Sequence, residues 1–146
     1  MPYGHNPRNA MQLTTKARYG LRALCHVAHR GYASAQVIAE KQAIPSRYLE
    51  EIIGELRKAG FVIGKRGPRG GYKLARPANE IILADVLSVL SSSNQSNAGE
   101  PQDEITSLVE RAVDGRMARL VGGLNLEDLI SEAREQFRRL AADYVI

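Results

Sequence analysis

The sequence predicts a mainly α-helical chain carrying one small β-hairpin, and three observations carry that expectation. Leu49, Ile52, Ile53 and Leu56 recur at i, i+3, i+4 and i+7, the stripe of one helical face. Phe61-Val62-Ile63 then has strand-type side chains, and Gly67-Pro68-Arg69-Gly70-Gly71 is a turn rich in residues that permit unusual backbone angles. Two more apolar stripes, Ala17 to Ala28 and Ile105 to Val121, place helices before and well after this unit.

Taken in order, Met1 to Ala10 holds Pro2, Gly4 and Pro7 without an apolar period and reads as a flexible leader. Thr14 or Thr15 can cap a helix running to about His29, with Ala17, Leu21, Leu24, Cys25 and Ala28 on its buried face. Ser34 can cap a short second helix in which Val37, Ile38 and Ala39 point inward, and residues 41–44 form a turn. Pro45 suits the start of the third helix, because a first turn has no partner for its N–H. Gly60 suits the position after its end, where φ is often positive. A short helix followed at once by a hairpin with a basic tip is the pattern of a winged helix-turn-helix, assigned to residues 11–78.

Residues 79–146 read as a helical dimerisation and regulatory region. Arg76-Pro77-Ala78-Asn79 breaks the preceding pattern, Ile81-Ile82-Leu83 reads as a short strand, and Ala84 to Leu90 as a helix. Ser91 to Gln102 is almost devoid of apolar residues and reads as a mobile loop. From Asp103 to Val121 a long helix carries Ile105, Leu108, Val109, Ala112, Met117, Leu120 and Val121. Apart from the last helix, no long element remains to cover that stripe, so a second copy of the chain is the expected partner. Asn125 caps the last helix with Asp128 three residues on. That helix carries Leu126, Leu129, Ile130, Ala133, Phe137 and Leu140, before a tail of Asp143, Tyr144, Val145 and Ile146.

Composition narrows the function class. Hydrophobic content of 44% and charged content of 25% are globular values. With no Trp and two Phe, a large aromatic ligand cage is not expected. No apolar run reaches membrane-spanning length, and the N-terminus lacks the apolar region of a signal peptide. One cysteine rules out an internal disulfide framework, which fits a cytoplasmic protein. Charge is divided: residues 1–80 hold 14 Lys+Arg against 5 Asp+Glu, net +9, whereas residues 81–146 hold 6 against 11, net −5. The positive half is the half with the helix and hairpin, as a polyanion-binding surface requires.

With the apolar stripe turned inward, Ser46, Arg47, Tyr48 and Glu50 are left on the open side of the third helix. Arg47 can donate a bidentate pair to guanine, and Glu50 can accept from a cytosine amino group. The Ser46 and Tyr48 hydroxyls suit phosphates or base edges. Lys65, Arg66 and Arg69 sit on the hairpin, whose thin tip suits a narrow minor groove, and Lys16 near the start of the first helix completes the candidate DNA-binding set. Any one of these charges alone could be an idle solvated group; helix, turn and hairpin together argue for a duplex.

Met11 to Gly20, Ile44 to Glu50, Leu56 to Gly60, Arg66 to Ala75 and Asn125 to Leu129 together resemble the Rrf-two family of bacterial winged-helix regulators. The resemblance implies a homodimer on a pseudo-palindromic operator, with the long helix as its seam. Many members hold an iron–sulfur cluster on three cysteines in the loop after the fourth helix. Here that loop, Ser91 to Gln102, has neither Cys nor His, so no cofactor is expected. The likeness is then to the cluster-free branch typified by a repressor of cysteine metabolism. Asp143-Tyr144-Val145-Ile146 also resembles the C-terminal peptide of serine acetyltransferases, which implies docking on cysteine synthase (O-acetylserine thiol-lyase); the alternative is an end that merely packs or frays.

The remaining candidates are weaker. Cys25 is a possible redox thiol, yet it lies on the buried stripe, where free cysteine acts as a small hydrophobe. His26 and His29 stand at i and i+3 with no third ligand near, so they read as surface histidines and no metal site is expected. Gly67 to Gly71 lacks the Lys-Ser/Thr ending of a phosphate-binding loop, and no catalytic group is suggested, so the chain is not expected to be an enzyme. Two other readings stay open: a protein-interaction module using the winged helix and acidic half, and a thiol- or ligand-sensing regulator of another pathway.

Overall fold

The computed structural model describes residues 12–67, 69–95, 99 and 102–144. The leader expected over residues 1–10, and Val145 and Ile146 of the tail, lie outside them. The elements are α1 (Thr15–Arg30), α2 (Ala35–Gln42), α3 (Ser46–Lys58), β1 (Val62–Lys65), β2 (Gly71–Leu74), a 3-10 turn (Ala78–Glu80), α4 (Leu83–Gln95), α5 (Glu104–Val121) and α6 (Leu126–Tyr144). The mainly helical winged helix-turn-helix architecture is therefore the one the sequence predicts.

The helix boundaries follow from their caps. The Thr14 hydroxyl accepts from the Ala17 N–H, Ser34 from Val37, Asp103 from Ile105, and the Asn125 side chain from Asp128. Ala43 turns the chain out of α2 at φ 54°, and Gly60 does the same after α3 at φ 83°.

The four apolar residues of α3 are all buried, and they form one core with Leu24, Val27, Ile38, Phe61 and Val62. That core continues across residue 78 into Ile81, Val86, Leu90, Leu126 and Ile130, so α4 and the first turn of α6 are packed on the helix-turn-helix. Backbone hydrogen bonds reinforce the junction: the Leu83 N–H donates to the Leu124 carbonyl, and the Leu126 N–H to the Ile81 carbonyl.

Several expectations are corrected. The buried face of α1 is Ala17, Gly20, Ala23, Leu24, His26 and Val27, whereas Leu21, Cys25 and Ala28 are half-buried. A Cβ on Gly20 would lie 2.3 Å from Leu90 Cδ1, so α1 meets α4 through its smallest residues. Val37 points outward from α2. Ile81-Ile82-Leu83 is not a strand: Ile82 makes one isolated bridge to Asn125, and Leu83 already opens α4. That helix runs on to Gln95 through residues read as loop, and residues 96–98, 100 and 101 of the expected mobile loop lie outside the described ones.

The hairpin is antiparallel in the register Val62↔Leu74, Ile63↔Lys73, Gly64↔Tyr72 and Lys65↔Gly71. It is also tied to the α1–α2 connection, because Ala33 and Tyr72 exchange both backbone hydrogen bonds, at 3.0 and 2.7 Å. Gly71 is required there, since a Cβ on it would lie 2.5 Å from the Ala33 carbonyl oxygen. Gly71→Ala should cost about 1–3 kcal/mol in urea unfolding. Gly54→Ala, in α3 with open space around it, should leave stability unchanged or raise it by up to about 1 kcal/mol.

Candidate nucleic-acid interface

Burial of Leu49, Ile52, Ile53 and Leu56 fixes the rotation of α3 about its axis. Ser46, Arg47, Tyr48 and Glu50 are exposed as a result, all in its first two turns. Pro45 stands at the cap without a side-chain hydrogen bond, so the first N–H groups of α3 have no side-chain acceptor from their cap residue. Lys65, Arg66 and Arg69 are exposed on the wing.

A row of rings and guanidinium groups runs from α1 to the start of α3. Arg22 lies over the Tyr19 ring at 5.5 Å, Tyr19 and Tyr48 have centroids 6.4 Å apart, and Arg47 lies 6.0 Å from the Tyr48 ring. Arg22 is itself anchored, Nη1 donating to the Gln42 carbonyl at the end of α2 at 3.1 Å. Tyr19 and Arg22 therefore stand behind Tyr48 and Arg47 of the open face of α3. Sequence spacing could not reveal this, since 29 residues separate the two tyrosines.

Lys16 sits on α1 facing α3. It is largely buried and paired with Glu55 of α3 at 2.7 Å, so its charge is compensated inside the protein. His26 is not a surface histidine; only 6% of it is exposed, and its Nδ1 lies 2.9 Å from the Gln42 side-chain amide. An amide N–H donates, so the imidazole accepts and is neutral. Burial chiefly, then the charges of Arg30, His29 and Lys41, hold its pKa below the ordinary histidine value. Exposed His29 bonds instead to Arg134 of α6. Burial pushes the Cys25 thiol up, which disfavours the reactive thiolate. Asp143 and Tyr144 of the proposed tail continue α6.

This arrangement has close counterparts. A family model described as "Rrf2: Iron-dependent Transcriptional regulator" matches residues 13–132. The chain belongs to the Rrf2 family. It is similar to the HTH-type transcriptional regulator IscR of Xenorhabdus nematophila, 33% identical over 130 residues that cover 82% of this chain and 79% of the relative. Among solved structures, T. potens IscR aligns with a TM-score of 0.69 at 32% identity over 87% of this chain and 91% of that one. CymR, the global cysteine regulator of B. subtilis, aligns with a TM-score of 0.62 at 30% identity over 84% and 98%. Like these Rrf2 relatives, the chain is a DNA-binding transcriptional regulator of the helix-turn-helix type.

The iron in the family's description finds no matching donor set. The chain has one cysteine, Cys25 on α1, and the described residues hold no group of three or more His, Cys, Asp or Glu able to hold a metal. A three-cysteine cluster does not fit this chain.

The neutrality of His26 has a pH consequence. Its folded pKa is lowered, so the stability it contributes is fully present above the unfolded value of about 6.5 and is lost as pH falls below that. Unfolding free energy should decline as pH falls below about 6.5, and His26→Gln should flatten that decline in denaturant titrations at stepped pH.

Proposed function

We propose that the chain acts as a homodimer on a pseudo-palindromic operator, with the start of α3 in the major groove and the wing in the adjacent minor groove. The supporting observation is the open face of α3: Ser46, Arg47, Tyr48 and Glu50 exposed above a buried stripe, beside a wing bearing Lys65, Arg66 and Arg69. Arg47 and Glu50 are the base readers, and the uncapped first turn of α3 suits a phosphate. Lys65 and the wing arginines meet the backbone and minor groove. Lys16, paired with Glu55, acts through the fold and leaves the contact set.

Dimerisation has its own support. None of the 18 residues of α5 is buried, although Ile105, Leu108, Val109, Val113, Met117 and Leu120 are apolar and Phe137 and Leu140 of α6 are exposed too. A contiguous apolar helix face of this size marks an interface. Its occupant is a second copy, which would set two α3 helices on successive half-sites.

Repression, without a cluster, is the mode of action we assign. It needs only that the occupied operator exclude other proteins, which a DNA-binding unit and a dimer helix suffice to do. Control of cysteine supply is the pathway supported by the lack of cluster cysteines and by the likeness to CymR. Docking of the C-terminal tail on cysteine synthase rests on the sequence resemblance alone.

Selection of bound fragments from genomic DNA with purified protein tests the reading. Promoters of sulfur-assimilation genes should be enriched; no enrichment of any sequence would overturn operator recognition. On the selected operator, Arg47→Ala should cost about 1–3 kcal/mol and relax preference at one position per half-site, whereas Lys65→Ala should weaken all sequences alike and reduce the salt slope by about one. Leu108→Glu should yield monomer in sedimentation and weaken operator binding at least tenfold with little change in helicity, because that side chain is 58% exposed in the single chain.

A further inference from the structure

Between the end of α1, the outer face of α2 and the wing tip lies an open cavity of about 660 Å³. Among the described residues its polar wall includes His26, Arg30, Tyr32, Lys41, Gln42 and Arg69, and none of its lining is a carboxylate. The two ion pairs among the described residues are Lys16–Glu55 and Arg138–Glu135, so none of the cavity's three cations is neutralised by one. Three cations around one concavity repel each other and focus a positive potential into it. The same field acts on His26, where Arg30, His29 and Lys41 add to burial in lowering its pKa.

The chemistry selects among anions. Guanidinium groups match a tetrahedral oxyanion with parallel N–H donors, and a lysine supplies a point charge. Arg69 belongs both to the cavity and to the wing, and the Tyr32 hydroxyl donates to the Arg69 carbonyl, fastening the wing tip to the cavity rim. The cavity and the wing tip thus share one wall.

We propose that this basin binds a phosphate group through Arg30, Lys41 and Arg69, supplied either by the DNA backbone beside the wing or by a free phosphorylated small molecule. The first source rests on the operator-binding reading; the second does not. The test variant is Arg30→Ala with Lys41→Ala, since both side chains are exposed and neither belongs to the core.

Operator affinity is measured across a salt series, and inorganic pyrophosphate is titrated into the DNA-free protein while the His26 ring is followed by NMR. A backbone phosphate predicts a salt slope shallower by about one to two in the variant, with base preference unchanged. A free phosphate predicts saturable pyrophosphate shifts at His26 and an upward move of its titration midpoint, both lost in the variant. An unchanged slope together with no pyrophosphate effect overturns the proposal. If the wild-type protein binds no DNA at all, the operator reading fails by itself, and the pyrophosphate titration alone decides the basin.

Discussion

The interface depends first on an apolar contact, the burial of Leu49, Ile52, Ile53 and Leu56 of α3 against α1, α2 and α4. Dispersion and dehydration hold the helix, but the consequence is angular: once those four residues face inward, 3.6-residue geometry leaves Arg47 and Glu50 facing out. Recognition chemistry is thus set by a hydrophobic constraint on the opposite face of the same helix. Lys16 and Glu55 add a largely buried ion pair between α1 and α3, on which a change in either partner would leave an uncompensated charge.

Much of this was legible because local chemistry and global fold agree. Thr14, Ser34, Asp103 and Asn125 stand before helices and accept the hydrogen bonds that caps require. The wing was legible from its glycines and strand residues. What escaped has physical causes. The inward face of α1 is built from Ala17, Gly20 and Ala23, whose small side chains carry little hydrophobic signal yet let α4 approach closely. His26 gave no hint of burial, because its partner Gln42 lies 16 residues away on another helix. Ile81-Ile82-Leu83 has strand-type side chains, but a strand needs a partner, and among the described residues it finds a single bridge from Ile82 to Asn125. Ser91 to Gln95 has the composition of a loop and stays helical because α4 continues through it.

The candidate site was legible in its parts and not in its connections. Arg47, Tyr48, Arg66 and Arg69 follow from spacing alone, whereas the Arg22–Tyr19–Tyr48–Arg47 row exists only once α1 and α3 are packed. Gln42 joins two of these networks, its carbonyl accepting from Arg22 and its amide meeting His26. None of the described helices is long and apolar enough to cross a bilayer.

The exchange of hydrogen bonds between Ala33 and Tyr72, with the Tyr32 hydroxyl on Arg69, ties the two-stranded wing to the α1–α2 connection. Its conformational entropy is surrendered when the chain folds, not when a duplex arrives. A ligand meeting β1 and β2 finds their backbone already paired, so differences in complex lifetime among sequences should reflect the contacts made rather than the pairing of these strands.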